Sequence, residues 1–209
     1  MQNNTSPGTE QTDQGIQAVA RRLAKHCAAY KGADTKRSVI QLILTAVPFF
    51  ALTAAMLYAL EHGYWFGLVL VLPAGIFLVR LFIIQHDCGH GSYFRSRQVN
   101  DGLGRILSLL TLTPYAFWQK AHAMHHATSG NLGNRGFGDI NTLTVSEYNA
   151  LSDAKRLSYR IYRHPLVLFV FGMPYHFIIA QRIPLGMPFS FAKVWRSVLF
   201  TDLALVLVY

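Results

Sequence analysis

Acidic side chains are scarce in this sequence. Ten Asp and Glu stand against 19 Lys and Arg, leaving a formal charge of +9. The two cysteines, Cys27 and Cys88, are too few for a disulfide framework, so a stapled extracellular fold is excluded. Neither a Gly-rich phosphate loop nor a Gly-x-Ser-x-Gly elbow is present, and no internal repeat is detected. A pI near 9.8 would suit nucleic acid, but no nucleic-acid-binding motif accompanies it. The basic balance fits anionic membrane headgroups instead. Charge of either sign is also sparse, at 14% of residues, while 52% are apolar.

The apolar residues come in blocks rather than at the spacing of a soluble core. Val39–Leu60 is a run of 22 residues without formal charge. As a helix it reaches about 33 Å, enough to cross hydrocarbon. Tyr64–Ile84 is a second run, interrupted only by Arg80, and Glu61-His62-Gly63 leaves room for nothing but a tight hairpin. Arg80 reads as a side chain snorkelling to headgroups. Leu166–Ala180, with Pro174 inside it, is a third candidate, and a fourth begins near Val198. That run is still apolar at Tyr209, as expected of a domain incomplete at its carboxyl end. The fold class expected is therefore all-α integral membrane, built from transmembrane helical hairpins.

Residues 1–15 are polar, lack the features of a signal peptide and read as a disordered tail. Residues 16–37 read as a basic amphipathic helix, with Ile16, Val19, Leu23, Cys27 and Tyr30 on one stripe. Six Lys and Arg precede the first run, and nine more lie between Gln85 and Arg163. The positive-inside bias then places the amino terminus and the Gln85–Arg163 segment in the cytoplasm, on an inner (cell) membrane. Arg182, Lys193 and Arg196 go against this pattern if Leu166–Ala180 crosses.

The chemistry is carried by histidine. His86-Asp87-Cys88-Gly89-His90 and His122-Ala123-Met124-His125-His126 hold five of the nine histidines. Three- and four-residue spacings put side chains on one helical face. Neutral imidazoles ligate iron, zinc or copper, and five exceed what a four-coordinate zinc uses, so a dinuclear centre is expected. Asp87 and Asp139 are candidates to hydrogen-bond ligand N–H groups, and Gly89 to allow close helix packing. Tyr115 and Trp118 are candidates to line an acyl tunnel. Ile106–Trp118 is apolar but, at 13 residues, too short to cross. It is expected to dip in and return, which brings both boxes to one face.

The run His86-Asp87-Cys88-Gly89-His90-Gly91-Ser92, followed by His122-Ala-Met-His125-His126-Ala127, resembles the first two histidine boxes of the membrane fatty acid desaturases. Ser129-Gly130-Asn131-Leu132, Gly138-Asp139-Ile140 and Thr142-Leu143-Thr144-Val145 are similar to the bacterial acyl-lipid omega-6 or delta-12 branch. The resemblance implies that residues 38–209 are a desaturase-like membrane domain with a cytoplasmic cap. It implies a centre of two non-haem irons and O2-dependent formation of a cis double bond in a fatty acyl lipid. Electrons would come from a ferredoxin or a cytochrome b5-like donor. The family's third box, His-x-x-His-His, is missing; His164 and His176 stand alone. These 209 residues are therefore expected to lack several ligands and to be inactive by themselves. Other readings are a related di-iron hydroxylase or carotenoid ketolase and a non-enzymatic membrane metal-binding protein. The latter would place its ligands at mid-membrane depth.

Overall fold

In the computed structural model the chain is described at residues 7–28, 30, 32–135, 140–184 and 191–208. Among these residues every regular element is a helix. The first helix, α1, runs Pro7–Ala28. It thus takes in nine of the 15 residues expected to be a tail, and it stops well short of residue 37. Proline is tolerated in a first turn, where its missing N–H has no partner to lose. Beyond Ala28, Gly32 takes a positive φ of 147° and separates α1 from the next helix.

Helix α2, Thr35–Glu61, starts where Asp34 accepts from the backbone N–H groups of Lys36 and Arg37 at 3.0 and 3.2 Å. Gly63, at φ 79°, turns the chain into a 3-10 segment, Trp65–Leu70, and then α3, Val71–His90. The spans Thr35–Glu61 and Trp65–His90 are both long and apolar enough to cross a membrane. They form the expected hairpin. A Cβ on Gly67 would meet Ala59 Cβ at 2.6 Å, so the turn end is close-packed. The other end is tied by Ser38 and Tyr93: Ser38 Oγ donates to the Tyr93 carbonyl, and Tyr93 Oη donates to the Ser38 carbonyl. Gly91, left-handed at φ 71°, ends α3 straight after His90.

Ser96 caps α4, Arg97–Leu110, and a turn leads into α5, Tyr115–Thr128. The apolar stretch 106–118 is thus not one segment but the end of one helix, a turn and the start of the next. Pro114 cannot continue a helix from Thr113 and sits at the cap of α5. Leu112 adopts φ 54° at the tip, a conformation that disfavours branched side chains by about 1 kcal/mol or more. Its carbonyl accepts from Arg182 Nη2 at 2.5 Å, and Arg182 also pairs with Asp202. Arg182 is therefore a brace on this turn. Fully buried Gln85 adds a second brace by accepting from Thr111 Oγ1 at 2.5 Å.

Two shorter helices come next, α6 (Val145–Asn149) and α7 (Asp153–Tyr162). The third apolar run is wound as π-helical turns at Val167–Gly172 and Tyr175–Ile179. Pro174 lacks the N–H that an α-helical ladder needs there. Together with α7 it makes a pair bent by 66°, one broken span or a re-entrant loop. The last helix, α8 (Phe191–Val208), starts upstream of Val198 because Val194 and Val198, one turn apart, both pack on Phe117 of α5.

A candidate metal centre of four imidazoles

The last turn of α3 faces the middle of α5, and each helix presents two histidines at four-residue spacing. Their Nε2 atoms converge. His90 lies 3.3 Å from His86 and 3.2 Å from His122, and His122 lies 2.9 Å from His126. One ligand atom from each of the four falls within 4.8 Å of all the others. Nitrogens bound about 2.1 Å from a shared ion lie roughly 3.0–3.4 Å apart at adjacent positions. The donor set therefore fits one metal ion.

The surroundings favour neutral, ligating imidazole. Burial, followed by the neighbouring rings of His86, His126, His90 and His125, holds the His122 ring at about 4, below its ordinary 6.5. Asp87 Oδ1 stands 3.2 Å from His86 Nδ1. That carboxylate selects the tautomer with the proton on Nδ1 and leaves Nε2 to face the cluster. The Trp118 ring stacks on His122 at 4.8 Å and 11°. Gly89 makes room for it, since a Cβ there would lie 2.8 Å from Trp118 Cζ3.

Of the residues singled out in the sequence, His86, His90, His122 and His126 come together, with Asp87 beside them. His125 does not join the four. Its ring lies 6.0 Å from that of His122 and 5.7 Å from that of His126, because its position on α5 turns it aside. Asp139 lies outside the described residues. Tyr115 is buried, with its ring on Gly104 and its hydroxyl donating to Asp101 at 3.1 Å, and it lines a groove between α4, α5 and α8. His176 pairs with Gln181 at 3.1 Å.

Sequence reasoning missed the network that holds the two box-bearing helices in register. Arg97 and Gln119 both donate to the Gly89 carbonyl, at 3.4 and 3.0 Å. Asp101 accepts from Arg97 at 3.2 Å and from Gln119 at 3.3 Å. Only an acid on α4 at helical spacing from Arg97 hinted at it.

Residues 62–209 match the family model described as fatty acid desaturase. Over 171 residues the chain is 45% identical to a fatty acid desaturase of Bacillus subtilis, covering 82% of this chain and 49% of that protein. An endoplasmic reticulum omega-3 fatty acid desaturase of Vigna radiata is 30% identical over 75% of this chain and 39% of its own length. The sn-1 acyl-lipid omega-3 desaturase (ferredoxin) of Synechocystis sp. is 32% identical over 52% of this chain and 28% of its own. The chain thus spans about half the length of the Bacillus relative and less of the other two. No solved structure matches it.

Proposed function

The chain belongs to the fatty acid desaturase family, and from that premise we propose that it carries part of a di-iron site for O2-dependent insertion of a cis double bond into the acyl chain of a membrane lipid. The observation that carries the reading is the convergence of four Nε2 atoms at the end of a membrane-length helix. Bound iron would supply the oxidising power that side chains lack for an unactivated methylene.

The chain's own residues do the holding and orienting. His86, His90, His122 and His126 would hold one ion, and Asp87 fixes the orientation of His86. Trp118, itself packed edge-on to Phe82 at 5.6 Å, fixes His122 and keeps water from the apolar side. His125 and ligands beyond this set would serve the second ion, so these residues alone are inactive. The ferredoxin in the name of the Synechocystis relative supports a ferredoxin-like electron donor, with a cytochrome b5-like protein as the alternative. We place both boxes and the amino terminus on the cytoplasmic face of the cell membrane, in keeping with the Lys and Arg distribution.

The test replaces His122 by alanine in a reading frame extended to the length of the Bacillus relative. Iron content and lipid unsaturation are then measured in the producing cells. Loss of both is expected; wild-type iron and product in H122A would overturn the assignment. Cysteines placed at Ser92 and Thr128 should be labelled from the same side of the membrane, and labelling from opposite sides would sink the shared site.

A further inference from the structure

A groove of about 760 Å3 runs between α4, α5 and α8. None of the four clustered histidines lines it. The pocket that His90 and His122 do line is a separate one, which shares Lys120 alone with the groove. Its floor is apolar and open to the outside, with Ile106 65% and Phe200 75% exposed. Its rim is cationic: Arg105 from α4, Lys120 from α5, and Lys193 and Arg196 from α8.

No carboxylate lines the groove. Asp101 of α4 is engaged by Arg97 and Tyr115, and Asp202, the one acid of α8, by Arg182. Among the described residues, Arg105, Lys193 and Arg196 have no acidic partner. Position along the helices matters as much as charge. Arg105 stands just before the apolar end of α4, Ile106–Leu110, and Lys193 and Arg196 stand just before the apolar run of α8 from Val198. Two helices thus pass from cationic to apolar along the groove, as a lipid passes from phosphate to acyl chain.

We propose that this groove holds an anionic phospholipid as a resident molecule, separate from the acyl chain to be oxidised. Its phosphate lies against Arg105, Lys193 and Arg196, and an acyl chain covers Ile106 and Phe200. Burial of those two side chains and the charge contact act together, so neither a zwitterionic lipid nor a bare anion satisfies the site equally well.

The test is native mass spectrometry of the whole chain released from nanodiscs containing equal phosphatidylglycerol and phosphatidylcholine. Wild type should retain phosphatidylglycerol preferentially. Retention should fall about fivefold for each cation removed in R105Q, K193Q and R196Q. The Lys/Arg exchanges R105K, K193R and R196K should retain the lipid, as should R21Q/R22Q on α1, which lowers total charge elsewhere. Circular dichroism on every variant separates loss of lipid from loss of fold. Equal retention of the two lipids by wild type, or undiminished retention in folded R105Q and R196Q, overturns the proposal. So does displacement of the lipid by inorganic phosphate or by a polyglutamate peptide at equal concentration. Neither readout depends on iron or on desaturation, so failure here leaves the metal assignment standing.

Discussion

Gly89 and Trp118 meet so closely across the α3–α5 interface that a methyl group on the glycine would lie 2.8 Å from Trp118 Cζ3. Trp118 cannot withdraw freely, because its ring is 7% exposed and stacked on His122. Gly89→Ala should therefore destabilise the chain by about 1–3 kcal/mol, the usual range for overpacking. It should also weaken metal binding by moving His122. The double variant G89A/W118F should recover part of both losses, as followed by thermal unfolding and cobalt titration. Additive losses in the double variant would show that the two residues are not coupled.

The histidine cluster divides the second box. His122 lies within 3.2 Å of two other ring nitrogens, whereas His125 is turned aside. In this chain His122→Ala should abolish binding of a single cobalt ion. His125→Ala should weaken it by less than about tenfold, since it removes no donor from the four. Titration followed by visible absorption distinguishes the two. Equal loss in both variants would return His125 to the first ion.

These two sites show what was legible in the sequence. The hairpin could be read from the lengths of two apolar runs, and the pairing of the boxes from a 13-residue stretch too short to cross. What four-residue spacing could not settle was which of His122, His125 and His126 share a point, because spacings of three and four both count as one face. Only the rotation of α5 against α3 decides that, and it is set by Gly89, Trp118 and the Asp101 network. The braces Ser38–Tyr93 and Arg182–Leu112 join residues far apart in sequence and leave no periodic trace. The π-helical winding of Val167–Gly172 was likewise invisible, since its composition matches that of an ordinary apolar helix.

Glu147 provides the pH dependence. Its carboxylate accepts from Arg135 Nη1 and Nη2 at 3.0 Å each, and from the Thr144 N–H and hydroxyl at 2.7 and 2.8 Å. Arg135, then Thr144, holds it at about 2 against an ordinary 4.5. A lowered carboxyl stabilises the folded form above 4.5, and that contribution is lost as the pH falls from 4.5 through 2. Amide exchange at Val145–Asn149 should accelerate across that window in wild type. In Glu147→Gln it should be faster already at neutral pH and flat across the window. A wild-type exchange rate that does not change between about pH 5 and 2, after correction for intrinsic chemistry, would remove Glu147 as the anchor.

Asp101 is the residue whose loss should separate fold from site. One carboxylate receives Arg97, Gln119 and the Tyr115 hydroxyl, and the first two also donate to the Gly89 carbonyl, one residue before His90. Asp101→Asn keeps the size and one acceptor oxygen but removes the charge that gathers these donors. About 1–2 kcal/mol of stability should be lost, because a charge-assisted bond to Arg97 is replaced by a weaker neutral one. The larger effect should fall on metal affinity. The hairpin α2–α3 does not depend on Asp101, so membrane insertion should be unchanged, while the end of α3 loses its fixed distance to α5. Asp101→Glu should not rescue it, since the longer side chain cannot place its oxygens against Tyr115 where Gly104 brings that ring close to α4. The measurements are alkaline extraction for insertion and cobalt titration for the site. Full metal affinity in a normally inserted D101N chain would show that the two helices hold their register without this network.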